Sequence, residues 1–134
     1  MSNKPIISWL AISTLTFILF LTGCEANAVK IGWRETSSLS SKTAQFVTFD
    51  GIDRVAICAK AEQTISLDYE VAVSKGTLNI ALNSPDGTSV WQETFNQDAA
   101  DAVTLPSTDS GCYTLQFVGE KTGGSLDFAW EVED

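Results

Sequence analysis

The chemistry open to this chain is limited first by what is missing: there is no histidine among its 134 residues. Without an imidazole there is no Ser-His-Asp or Cys-His nucleophile, and the usual general base and commonest metal ligand are gone. A Ser-x-x-Lys pair is absent as well. The residues three before Lys30, Lys42, Lys60, Lys75 and Lys121 are Asn27, Leu39, Ile57, Ala72 and Val118. No glycine-rich loop of the phosphate-cradling kind is present. Paired carboxylates can cleave glycosides, but Asp and Glu scattered over an acidic β-domain read as solvated faces. The expectation is therefore a chain that is not an enzyme and needs no cofactor.

Binding is the chemistry that remains. Asp98, Asp101 and Asp109 flank or lie within loops, where carboxylates and carbonyls can hold Ca²⁺. There is no EF-hand spacing, so calcium is the weaker expectation and a plain acidic loop the stronger. Exposed tryptophans can stack on sugars or peptides. Trp130 falls in the inward set of its strand and is expected in the core. Trp91 is expected as core or sheet cover, with a ligand surface as the alternative. Trp33, on a segment that reads either as an edge strand or as a loose stretch, is a candidate ligand surface with core or sheet cover as the equal alternative.

The three cysteines divide by position. Met1-Ser2-Asn3-Lys4 is a short cationic start, Pro5 to Gly23 carries no charge, and Ile6 to Leu21 is mostly apolar. That is the layout of a secretory signal. It ends in Leu21-Thr22-Gly23-Cys24, which resembles the lipobox of bacterial lipoproteins. The resemblance implies a diacylglycerol on the Cys24 sulfur and cleavage before it. A Cys is required there because its thiolate takes the lipid. Glu25 is not the aspartate that marks inner-membrane retention in enterobacteria. The expected location is extracytoplasmic, anchored to a bacterial outer or cell membrane.

Cleavage would leave 111 residues, one domain, and removing Lys4 takes the formal charge from −9 to −10. Such an acidic surface repels phosphate backbones, so no nucleic-acid partner is expected. The expected partners are a membrane, through the lipid, and an envelope protein or polysaccharide. Residues 24–43 are expected to form a tether, because Thr36 to Thr43 is small and polar and buries little.

From residue 44 onward, apolar residues alternate with polar ones. Ile65, Leu67, Tyr69, Val71 and Val73 form one apolar set, and Leu126, Phe128, Trp130 and Val132 another. Leu78, Ile80 and Leu82, and Tyr113, Leu115 and Phe117, repeat the pattern. Period two marks half-buried strands. Weaker strands are expected at 45–49, 54–61, 90–95 and 102–105. Ser74-Lys75-Gly76, Ser84-Pro85-Asp86-Gly87, Asp109-Ser110-Gly111 and Thr122-Gly123-Gly124 read as turns between them. Seven or eight short strands predict an all-β fold, an antiparallel β-sandwich or jelly roll.

Alternation puts Cys58 and Cys112 on the outer sides of their strands. One disulfide between neighbouring strands is expected, with two free thiols as the alternative. Leu67-Asp68-Tyr69-Glu70-Val71, Gly76-Thr77-Leu78-Asn79-Ile80, Ser84 to Trp91, Ser110 to Leu115 and Gly124 to Trp130 together resemble small bacterial β-sandwich lipoproteins. They also resemble the Golgi-dynamics (GOLD) domain and the pre-peptidase C-terminal domain. The resemblance implies a jelly-roll-like module that binds partners or accompanies enzymes and is not itself catalytic.

Overall fold

A computed structural model describes residues 28–134, so the leader and the expected lipidation site Cys24 lie outside the described residues. Seven strands run through the described residues: β1 (Val29–Ile31), β2 (Arg34–Ser37), β3 (Ser41–Ala59), β4 (Gln63–Asn83), β5 (Ser89–Phe95), β6 (Ala99–Ser107) and β7 (Gly111–Glu133). All pairings are antiparallel. The expected class, an all-β antiparallel sandwich, is what the chain adopts.

Three of these strands are far longer than the alternation suggested, and each serves both layers. The first half of β4 pairs with β6 and with Gly124–Glu133 of β7, and the second half pairs with β5 and with Thr114–Glu120. β3 follows β7 along both halves. Phe117 and Phe128 lie eleven residues apart on β7, roughly 36 Å if the strand were straight. Their ring centroids are 5.2 Å apart, so the strand doubles over. One layer is β6, the start of β4, the end of β7, the start of β3 and β2. The other is β5, the end of β4, the start of β7 and the end of β3.

The bend is built from bulges. Register shifts fall between Phe46 and Gly51 in β3 and between Val73 and Thr77 in β4, facing Glu120–Gly124 of β7. Ser74-Lys75-Gly76 and Thr122-Gly123-Gly124, expected as turns between strands, are instead bends within them. An inserted residue kinks a strand without ending its ladder. Gly124 has φ +143°, and a Cβ there would run into the Ala72 carbonyl. The wholly buried Thr122 stitches the fold by donating to the Thr77 carbonyl, while its hydroxyl accepts from Glu120 N at 3.0 Å.

The core lies between the layers. It holds the alternating sets Ile65–Leu67–Tyr69–Val71, Leu78–Ile80–Leu82, Tyr113–Leu115–Phe117 and Leu126–Phe128–Trp130. Trp130 is in it as expected, with Nε1 donating to the Leu39 carbonyl at 3.2 Å. Cys58 and Cys112 are directly opposed on β3 and β7, exposed on the outer face, and joined as a disulfide. Closing a loop with a separation of 54 residues restricts the unfolded chain by about 4 kcal/mol in the chain-entropy treatment.

The expected tether boundary at residue 43 moves toward the N-terminus. β1 pairs with Thr48–Asp50, β2 pairs with Lys42–Gln45, and Ser41–Phe46 belongs to the sheet. Polar composition misled because a strand at the sheet's border needs only one buried face. That face is supplied by Trp33, Lys42 and Ala44.

Candidate functional site

A folded-over sheet leaves two long sides where the layers do not join, and each carries one of the candidate tryptophans. On the β2–β3 side, β3 alternates Lys42, Ala44 and Phe46 inward from one layer and Asp53, Val55 and Ile57 inward from the other. Lys42 is 3% exposed, and its Nζ meets Asp53 Oδ2 at 2.5 Å and Glu35 Oε1 at 2.6 Å. Burial pulls the ammonium pKa down, but these carboxylates outweigh it and leave the net shift upward. Burial likewise pushes Asp53 up, and Lys42 and then Lys30 overcome it and hold the carboxyl below its ordinary value. Lys30 Nζ is 3.4 Å from Asp53 Oδ1.

Trp33 closes this side. Its ring stacks on Phe46 at 5.4 Å, meets Phe49 edge-on at 5.2 Å, and has Lys30 Nζ 4.3 Å from its centroid. Trp33, one of the two candidate ligand surfaces, is half-buried here, stacked on Phe46 with Lys30 beside the ring, so it presents less free aromatic surface than an unpacked ring would.

The β5–β6 side is different. β5 sends Trp91, Glu93 and Phe95 inward from one layer, in register with Leu82, Ile80 and Leu78. β6 sends Asp101 and Val103 from the other, in register with Tyr69 and Leu67. Tyr69 stands between them. Its ring lies 5.7 Å from Trp91, 5.6 Å from Phe95 and 5.1 Å from Phe128, stacked on the last. Its hydroxyl reaches across and donates to Glu93 Oε2 at 2.9 Å. Burial first, then the bond to Glu93, pushes the phenol pKa up to about 12. Trp91 is half-buried and Glu93 and Asp101 are exposed, so an aromatic surface and two carboxylates open to solvent along one strip.

Beyond β6 the outer face of the first layer is hollowed. Small residues Ser66, Ala102 and Ala129 keep it low, making an open groove of about 820 Å³ beside Asp68 and Glu131. A smaller hollow of about 500 Å³ adjoins Glu70, Asp101 and Asp127. Glu133 beside Glu131 raises the Glu131 carboxyl above its ordinary range.

The three calcium candidates do not converge. Asp98 and Asp109 lie at opposite ends of the nine-residue β6, roughly 30 Å apart. Asp98 Oδ1 accepts from Val73 N at 2.9 Å and Asp101 Oδ1 from Ala102 N at 2.8 Å. Among the described residues no three acidic or cysteine side chains stand together to hold a metal. Asp98 and Asp109 stand just beyond the two ends of β6 and Asp101 lies within it, a separation that linear proximity hid.

Sequence reasoning named Trp91 as a candidate, placed Tyr69 only in an inward apolar set, and missed Glu93, Glu35, Lys42 and Asp53. A signal was there. Glu93 keeps phase with Trp91 and Phe95, and Lys42 with Ala44 and Phe46. A charge in the inward register of an apolar strand marks a border of the core or a paired ion.

No protein-family model and no curated protein matches the chain. Solved structures do match. A CBM4 structure aligns with TM-score 0.51 at 10% identity, covering 81% of this chain and 77% of that one. PliG of Aeromonas hydrophila, a periplasmic inhibitor of g-type lysozyme, aligns with TM-score 0.44 at 16% identity, covering 81% and 89%. The carbohydrate-binding module CBM6cm-2 from Cellvibrio mixtus lichenase 5A, in complex with cellotriose, aligns with TM-score 0.43 at 10% identity, covering 81% and 89%. At these identities the likeness is one of fold, and the fold is a β-sandwich like that of the CBM4 structure.

Proposed function

We propose that this chain is a lipid-anchored, extracytoplasmic binding module without catalysis of its own, and that its ligand is a glycan taken along the β5–β6 side. The anchor rests on the lipobox resemblance at Leu21–Cys24, and the binding role on the site. A sugar ring has an apolar C–H face that stacks on an aromatic ring and hydroxyls that seek strong acceptors. The observation that carries the reading is the Trp91–Tyr69–Glu93 constellation. Tyr69 engages Glu93 Oε2, fixing the carboxylate beside the Trp91 ring and leaving Oε1 to accept from a ligand hydroxyl. The fold supports the reading, since carbohydrate-binding modules use this kind of sandwich.

Native electrophoresis through gels containing soluble β-glucan, xylan or galactomannan tests it. At least one polysaccharide should retard the protein, and Trp91→Ala should weaken that retention about tenfold, or about 1.4 kcal/mol. Equal retention of the variant, or free migration of the wild type in all three gels, contradicts it. A protein partner is the second reading. It is favoured by the outer face of the first layer, where Asp68, Glu70, Asp127, Glu131 and Glu133 stand in register among alanines and hydroxyl residues.

A further inference from the structure

Six large apolar side chains are exposed among the described residues, and four of them lie on or beside β1. They are Val29 at 49%, Ile31 at 55%, Val47 at 61% and Ile52 at 39% exposure. β1 turns Lys30 inward beside Phe49, so Val29 and Ile31 face outward with Asp50 and Thr48. Val47 is their neighbour, since a Cβ on Gly32 would stand 2.6 Å from its Cγ2. All of this is at the bent end of the sandwich, and the opposite end holds the C-terminus. Lys75 borders the patch, its Nζ donating to Thr48 Oγ1 at 3.0 Å, and Lys121 projects from the β7 bend.

We propose that this bent end is a bilayer-contacting surface, with Val29, Ile31 and Val47 entering the headgroup boundary; the inference rests on the lipid anchor at Cys24. Chain length is what selects a bilayer as the occupant. Five peptide units separate Cys24 from Val29, a reach of at most about 18 Å. A domain of this size has a radius of gyration of roughly 13 Å, so that reach is shorter than its diameter. The far end of the domain is then out of reach of the membrane that holds the lipid, and the end that carries β1 lies nearest to it. Charge agrees. Lysine stems at a headgroup boundary bury their methylenes and keep the ammonium in water. The five carboxylates on the outer face of the first layer are repelled by anionic headgroups. Acyl chains and apolar side chains then act together, as durable peripheral anchoring requires.

The test uses the full chain, expressed with its leader and purified from membranes. Ile31→Cys and Val90→Cys variants each carry one NBD label. Val90 is the reference, exposed on β5 near the other end, about 25 Å along the sheet from the bend. In phosphatidylethanolamine–phosphatidylglycerol vesicles containing headgroup-region nitroxide lipid, the label at 31 should be quenched at least threefold more strongly than that at 90. Adding Val29→Ser and Val47→Ser should at least halve the quenching at 31. Equal quenching at both positions, or quenching at 31 that survives the serine substitutions, overturns the proposal while leaving the anchor intact. A blue shift of the label at 31 that grows with protein concentration in detergent makes a second copy the occupant and overturns it too. Intact mass reads the anchor separately: a chain without the added acyl mass removes both the anchor and this surface.

Discussion

Lys42 is a charge in an apolar register, 3% exposed, and its environment decides whether that helps or harms the fold. Removing one partner of a buried ion pair leaves the other uncompensated, which costs about 3 kcal/mol or more. Asp53→Ala leaves Lys42 with Glu35 as its remaining partner, so the loss at pH 7 should be smaller than for an orphaned charge, about 2 kcal/mol. The pH dependence has a definite sign. The Asp53 carboxyl is held below its ordinary 3.8, so its contribution is complete above that value and is lost as pH falls through the lowered one. Lys42 is raised above 10.5, so its contribution is complete below that value and is lost only as pH rises past the folded one. Urea unfolding of wild type and Asp53→Ala at pH 7 and pH 2.5 checks this. The stability gap should narrow at the lower pH, and a constant gap would show that the carboxylate is not what Lys42 leans on. Tyr69 shows how the opposite side differs: its buried phenol stays neutral to about 12 and so acts as a fixed donor to Glu93.

At the scale of the element, the long strands work because bulges let them turn without surrendering their ladder. Gly124 is the tightest point, with a left-handed backbone and no room for a Cβ against Ala72. Gly124→Ala should lower stability by about 2 kcal/mol or more in thermal or urea unfolding, and a loss under 0.5 kcal/mol would mean the bend yields elsewhere. Strand faces were legible in the sequence because burial on one side imposes period two, and Ile65 to Val73 and Leu126 to Val132 show it cleanly. Ser74-Lys75-Gly76 and Thr122-Gly123-Gly124 misled because glycine's positive φ serves a hairpin and a bulge alike, and only the partner strand distinguishes them. Paired charges such as Lys42 and Asp53 were hidden for the same reason: they are neighbours only once β3 has doubled back.

For the whole molecule, the bend divides the surface into regions of different chemical character. One side of the sandwich is shut by Trp33 and the Lys42 ion pairs, the other opens Trp91 with two carboxylates, and the apolar residues gather where the chain leaves toward Cys24. Part of the architecture was legible in the sequence: the period-two apolar sets gave an all-β sandwich, and Cys58 and Cys112 fell on outer faces where one disulfide joins them. Which tryptophan is available could not be read there, because Phe46 and Lys30 cover Trp33 only in the folded chain. The most direct measurement is a titration of the ¹⁵N-labelled chain, freed of its leader, with a soluble oligosaccharide of whichever polysaccharide retards it. Trp33, Trp91 and Trp130 each give an indole N–H signal. The Trp91 signal should move in proportion to occupancy while those of Trp33 and Trp130 stay in place; a shift at Trp33 with Trp91 unmoved would put the ligand on the wrong side of the sandwich.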